Sequence, residues 1–352
     1  MKTMAIARQS EILRGARSTL RRTIIICLAL LLVLLLTIVV SSVIGAERLP
    51  FASSLCALFS GGNSSCGLTP EQSAILFEIR LPRILLAASV GASLATAGAG
   101  YQALLRNPLA EPYLLGISNG AAVGTMVSLV FFGTGQTSEW LRPVMAFVGA
   151  IGSSFVVYQL ARGRTGASPE KLILAGVIVT TFLSSVIVFI TTMMDATRIR
   201  SFTFWLLGDL SGASTNLLTI AIIAAIFGGI VLTLHARSLN LMMLGERDAF
   251  DLGVEVERVR LIVFLGASLL VGASVASSGS VGYVGLVIPH LVRLSVGSDN
   301  RTVIPSAAFA GALFVIIADT IARTIIAPRE LPVGAITALI GAPLFIFLLR
   351  RG

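Results

Sequence analysis

Ile24-Ile-Ile-Cys-Leu-Ala-Leu-Leu-Leu-Val-Leu-Leu-Leu-Thr-Ile-Val-Val-Ser-Ser-Val-Ile44 is an unbroken run without a charge, preceded by Arg21-Arg22. A bilayer core about 30 Å thick requires roughly 20 apolar residues per spanning helix. The run ends in Ser41, Ser42, Gly45 and Ala46, which imitates a signal peptide with its cleavage site. A signal core, however, has only about 7 to 15 residues, so this stretch reads as an uncleaved first span. The rest of the 352 residues agrees with it: 55% are hydrophobic and 12% charged, with mean hydropathy +0.93. That composition excludes a water-soluble globular protein. Lys and Arg number 26 against 17 Asp and Glu, a net +9, yet no dense basic block is interleaved with aromatics. Nucleic-acid binding is therefore a poor explanation of the charge.

Further apolar stretches follow at about 84–104, 113–132, 143–160, 172–194, 215–234, 259–276, 281–296, 303–326 and 333–349. The expected architecture is an all-α polytopic membrane protein of about ten transmembrane helices. With both termini inside, only Arg48, Arg80, Arg83, Arg142, Arg198, Arg200, Arg323 and Arg329 fall outside, so the arrangement obeys the positive-inside bias. Small residues crowd 87–100, which suits close helix packing in lipid. Gly91-Ala-Ser-Leu94 recurs as Gly266-Ala-Ser-Leu269, and the two copies would enter the membrane from opposite sides. An inverted repeat of spans 2–5 and 7–10 is the expectation, although four residues of a small-residue helix match readily by chance. Cys27 lies in the first span. Cys56 and Cys66 share the first outside loop, where a disulfide and two free thiols both remain open.

The longest internal polar stretch is the inside loop 235–260, which fits two short helices broken at Gly245 and Gly253. In this reading Leu241, Leu244, Ala249 and Leu252 face the membrane, while Glu246, Arg247, Asp248 and Asp251 face the cytosol and suit a partner protein. A plain connector could be far shorter. Asp248-Ala-Phe-Asp251 has the spacing of a magnesium-diphosphate motif but lacks a second acidic cluster. A P-loop needs glycines ahead of a lysine, and neither Lys2 nor Lys171 has them; any ATP-driven step must use another subunit. Asp319 is the one acid well inside a span, and Arg323 one turn later suits an ion pair better than a proton relay. His290 reads as a packed or capping residue. Thr181, Ser185 and Thr192, with Ser184 beside them, form a hydroxyl stripe on the fifth span. That stripe either lines a path or bonds back to its own helix.

Four ordered segments carry a resemblance: Arg80-Leu-Pro-Arg83, the run Gly98 to Gly116 containing Arg106-Asn-Pro-Leu-Ala-Glu-Pro-Tyr113, Val281 to Arg293, and Glu330-Leu-Pro-Val-Gly334. They resemble the FecCD family of ABC importer permeases from about Arg80 to the C-terminus; the region before Arg80 follows it only loosely. The topology above gives a cytoplasmic tail at 1–22 and a single transmembrane domain at 23–352; the resemblance implies that this domain is an inner-membrane permease with 235–260 as its coupling loop. It implies a homodimer with two ATP-binding cassette subunits, a substrate-binding protein, and an iron chelate (ferric siderophore), heme or cobalamin as cargo. The permease itself is then neither an enzyme nor a holder of a cofactor. Leu244, Gly245, Glu246, Arg247, Asp248, Ala249, Asp251, Leu252 and Gly253 would couple to the ATPase. Arg80, Arg83, Arg323 and Glu330 would meet the binding protein, and Thr181, Ser184, Ser185 and Thr192 would line the path. A proton-coupled secondary carrier is the alternative, disfavoured by the lack of unpaired membrane acids.

Overall fold

In lipid every backbone polar group must be satisfied inside the protein, and the chain accordingly resolves almost wholly into helices. The computed structural model describes residues 2–45, 47, 49–60, 66–133, 136–163 and 166–351, and the side chains of these apart from 2–18, 136–139, 349 and 351. Arg48, Arg164 and residues 61–65 of the first loop, all placed by the topology above, lie outside the described residues. In chain order the helices are α1 (Lys2–Val43), α2 (Phe51–Ser60), α3 (Pro70–Ala74), α4 (Leu81–Leu104), α5 (Ile117–Phe132), α6 (Gln136–Ala161), α7 (Pro169–Thr191), α8 (Ala196–Leu206), α9 (Thr215–Leu234), α10 (Ala236–Leu244), α11 (Glu246–Asp251), α12 (Val256–Ser278), α13 (Val284–Val296), α14 (Asn300–Thr324) and α15 (Val333–Arg351). A π-helical turn, Ile75–Arg80, joins α3 to α4. A hairpin of β1 (Arg162–Gly163) and β2 (Gly166–Ala167) follows α6.

Among the described residues, seven helices are long and apolar enough to cross a membrane, and they coincide with seven of the ten expected spans. The other three are shorter. α5 has 16 residues and α13 has 13, which at 1.5 Å per residue reach only about 24 and 20 Å. Each is preceded by irregular backbone and starts from a left-handed residue, Gly116 (φ +77°) and Tyr283 (φ +67°). Helix α8 was not expected. Asp195 starts it by accepting the N–H of Arg198 at 3.0 Å, and Phe202 and Trp205 bury its inner face. Cys56 and Cys66 are joined by a disulfide across a Cα separation of 5.6 Å.

The centre of the bundle is α4, buried along nearly its whole length and packed on α14, α12, α9 and α13. A Cβ on Gly91 would run into the carbonyl oxygen of Gly311 on α14, and one on Gly98 into that of Gly285 on α13. Backbone therefore lies against backbone, the approach that small residues permit in lipid. The pairings exchange between halves: α4 packs on α14 as α12 packs on α6, α5 on α6 as α13 on α14, and α4 on α13 as α12 on α5. A repeat of α4–α7 and α12–α15 produces this pattern. The tetrapeptide match does not mark its register, because Gly266 faces Leu232 and Val231 of α9, whereas Gly272 faces Ala150 and Phe147 of α6. By contacts, Gly272 is the counterpart of Gly91.

Replacing Gly311 by Ala should overpack the α4–α14 contact and lower unfolding stability in micelles by about 1 to 3 kcal/mol. Gly152→Ala, where a Cβ meets nothing within 4 Å, should be neutral or slightly stabilising. Equal effects at the two positions would contradict the backbone contact.

Candidate functional site

Polar residues gather at the two ends of α14. At its N-terminal end, Asp299 caps the helix by accepting the N–H of Arg301 at 3.0 Å, and Arg301 also pairs with its carboxylate at 2.6 Å. The hydrogen bond from Arg301, and secondarily that from Asn240, hold the Asp299 carboxyl below its usual range against the opposing effect of burial. Asn240 of α10 donates to Asp299 Oδ1 at 2.7 Å and accepts the N–H of Asn300 at 2.9 Å. Asn300 is fully buried and accepts from Arg293 Nη2 at 3.0 Å. These bonds fasten the 235–260 loop to α14 and α13.

The far half of that loop is held by charge. Arg260, buried in α12, pairs with Glu246 at 2.7 Å and with Glu257. Glu246 also meets Arg106, just beyond α4, at 3.1 Å. Glu257 accepts the N–H of Ala167 in the β-hairpin at 3.4 Å. Gly245 and Gly253 break the helices as expected, Ala249 is buried, and Arg247, Asp248 and Asp251 are exposed. Glu246, expected toward the cytosol, turns inward to its arginines. Leu244 and Leu252 lie on the surface of the chain, 72% and 64% exposed, beside Phe250 at 71%. A six-residue helix cannot bury both flanks once Ala249 seats it on the bundle.

At the other end of α14, Arg83 of α4 reaches Asp319 at 3.0 Å and Glu330 at 2.6 Å. Arg323 meets the second oxygen of Asp319 at 3.0 Å, so the ion pair expected from the one-turn spacing is present. Arg80 donates to the carbonyls of Ser42 and Val43 at 3.0 Å and to that of Glu47. Arg80, Arg83 and Arg323, which the resemblance assigns to the binding-protein face, are only 5%, 7% and 5% exposed in the single chain. A buried guanidinium without an acceptor is costly, and these find acceptors within the chain. Glu330 is the member of the four whose side chain is substantially open, at 45%. Between the ends, Tyr113 joins the two irregular breaks, donating to Val281 O at 2.7 Å and accepting from Val281 N at 2.9 Å. Glu111 accepts the N–H of Tyr283 at 3.2 Å. On α7 the hydroxyls of Thr181, Ser185 and Thr192 bond to Val177, Thr181 and Phe189 carbonyls, and Ser184 accepts from Asn119 at 2.8 Å. All four side chains are nevertheless on the exposed surface of α7. Back-bonding, one of the two readings above, is present at Thr181, Ser185 and Thr192.

Residues 31–351 match the FecCD transport family. The chain belongs to that family. The hemin transport system permease protein HmuU of Yersinia pestis is 40% identical over 279 residues, 79% of this chain and 83% of HmuU. The cobalamin import system permease protein BtuC of Halobacterium salinarum is 41% identical over 289 residues, 81% of this chain and 75% of BtuC. A chain of an inward-facing metal-chelate type ABC transporter shares 32% identity at a TM-score of 0.79, covering 94% of this chain and 100% of that one. PsaBC from Streptococcus pneumoniae, at 15% identity and a TM-score of 0.51, shares the fold alone.

The permease is thus a multi-pass integral protein of the inner membrane. Its structure brings together Arg83, Arg323 and Glu330 around Asp319, and draws Glu246 to Arg106 and Arg260. It keeps the α7 hydroxyls apart from both clusters. Asn240, Asp299, Arg260, Glu111 and Tyr113 escaped the sequence reading. An isolated Asn between Leu239 and Leu241 and an acid inside Ala-Glu-Pro were the available signals, and neither names its partner.

Proposed function

We propose that this permease is the membrane subunit of an ATP-driven importer, oriented with both termini and the 235–260 loop in the cytoplasm. It works as a homodimer carrying two ATPase subunits, and it takes an iron chelate, heme or cobalamin from a binding protein by alternating access. The observation that carries this reading is the 235–260 loop. Leu244, Phe250 and Leu252 form an exposed apolar rim around Arg247, Asp248 and Asp251, on a segment bonded into the bundle at Asn240 and at Glu246. An apolar patch with a charged surround suits a protein partner, and the anchors let that partner's movement reach the helices. The relatives, one a hemin and one a cobalamin permease, support the cargo class. Asp319, gripped by two arginines, does not suit a proton relay. Exposed α7 hydroxyls support a wetted face toward the second copy. At the opposite end Glu330 is the open contact for the binding protein, with Arg80, Arg83 and Arg323 held behind it.

In proteoliposomes holding the permease, its ATPase subunit and a binding protein, ATP should drive uptake of one of hemin, cobalamin or a ferric hydroxamate. Ala249→Asp places a carboxylate at a buried contact, and Gly253→Pro replaces a residue at φ +85°. Each should cut uptake by roughly tenfold or more, the first because a misplaced buried charge costs well above 1.4 kcal/mol and the second because proline cannot adopt a positive φ, and each should weaken retention of the ATPase subunit. Normal uptake in both variants with the ATPase bound would remove the docking assignment.

Single cysteines at Thr181, Ser185 and Thr192, in a background lacking the native cysteines, should react with a charged thiol reagent several-fold faster than cysteines at Ile178 and Ile187. Equal labelling would return the hydroxyls to a lipid-facing helix surface.

A further inference from the structure

Helix α14 carries 25 residues, a rod of about 37 Å, and it is the element that meets both polar clusters. Its outer part holds Asp319 and Arg323. Its first residues, with Asp299, hold Asn240. That side chain uses its amide in both directions: Nδ2 donates to a carboxylate and Oδ1 accepts a backbone N–H from the next residue, at 2.7 and 2.9 Å. Two hydrogen bonds of opposite sense fix an amide in one orientation, and the one to a carboxylate is of the stronger kind. Asn300 Nδ2 adds a contact to the sulfur of Met243, one turn further along α10. Along the rod, the contact with α4 is glycine on glycine at Gly91 and Gly311. Val315 and Ala95 pack into the space the two glycines leave, and the hydrogen bonds and ion pairs that tie α14 to the loop and to the far cluster lie at its two ends.

We propose that Asn240 is the positioning residue through which the coupling loop moves α14, making α14 the link between the ATPase side and the Arg83–Asp319–Glu330 cluster. The proposal rests on the coupling-loop reading above and adds the residue and helix that carry the motion. Asn240 faces α14 and not the exposed rim of Leu244, Phe250 and Leu252, so it can be altered without touching the surface offered to the ATPase.

The test uses the reconstituted complex with hemin, cobalamin and a ferric hydroxamate each tried as cargo. Asn240→Asp sets two carboxylates at hydrogen-bond distance and removes the donor. ATPase retention and ATP hydrolysis should stay within about twofold, while uptake per ATP hydrolysed should fall about tenfold, the loss expected for one hydrogen bond to a charged group. Asn240→Asp combined with Asp299→Asn exchanges donor and acceptor. It restores the bond, keeps an N-capping side chain on α14, and leaves an acceptor for the Asn300 N–H. The exchanged pair should recover most of the lost coupling. Normal uptake per ATP in the single variant would overturn the proposal. So would a parallel fall in uptake, hydrolysis and assembly that the exchange does not rescue, which marks a structural role alone. Retention of the ATPase and normal uptake in Ala249→Asp would overturn the coupling-loop reading and this proposal with it. Loss of uptake in Ala249→Asp together with normal coupling in Asn240→Asp would overturn the α14 link only.

Discussion

Two helices whose backbones touch at Gly91 and Gly311 are fixed against each other by the buried charges at one end of the contact, where Arg83 of α4 meets Asp319 of α14. Gly91 against Gly311 brings the backbones together, and in lipid there is no hydrophobic gain from hiding apolar side chains to add to it. Arg83 spans the contact to Asp319, whose second oxygen meets Arg323. The carboxylate lies between two guanidiniums, and Glu330 supplies the second acid. Paired in this way, Arg83, Asp319 and Arg323 can be taken out of water with Glu330 at the open rim; any one of the three left alone would be expensive. The rest of the bundle is arranged around the result. α12, α9 and α13 pack on the remaining faces of α4, and α1 packs on α14.

The same helix explains why the functional residues lie where they do. A permease must let two soluble partners on opposite faces of a membrane sense each other. A helix anchored by hydrogen bonds at one end and by ions at the other is a direct physical connection for that purpose. Beside it, α13 begins in irregular backbone that meets the break before α5 through Tyr113, Glu111 and Val281. Non-helical backbone at membrane depth is tolerated only where protein surrounds it, and these two breaks satisfy each other.

Much of this was legible in the sequence wherever the signal was local. Ile24–Ile44 announced a span by length, Gly245 and Gly253 announced two short helices, and the one-turn spacing of Asp319 and Arg323 announced their pair. Signals that depend on distant partners were silent. Arg83 and Glu330 are 247 positions apart, so nothing beside Arg83 in the sequence shows the acceptors that bury it. Of Leu244, Ala249, Phe250 and Leu252, only the small Ala249 fits against the bundle, a choice that hydropathy alone does not make. Pro112, Gly116 and Tyr283 shorten α5 and α13, and a hydropathy window runs across such breaks without registering them. The repeated Gly-Ala-Ser-Leu pointed toward a true exchange of helix pairings from the wrong register, since composition repeats more readily than contact.

A double-mutant cycle on Arg83→Met and Asp319→Leu, read as unfolding free energy in micelles, tests the central claim most directly. If these charges clamp α4 to α14, each single change is destabilising, and the double variant loses less than the two losses added together, with a coupling energy of at least about 2 kcal/mol. Strictly additive losses, or singles no worse than an exposed pair at about 0 to 1 kcal/mol, would contradict it.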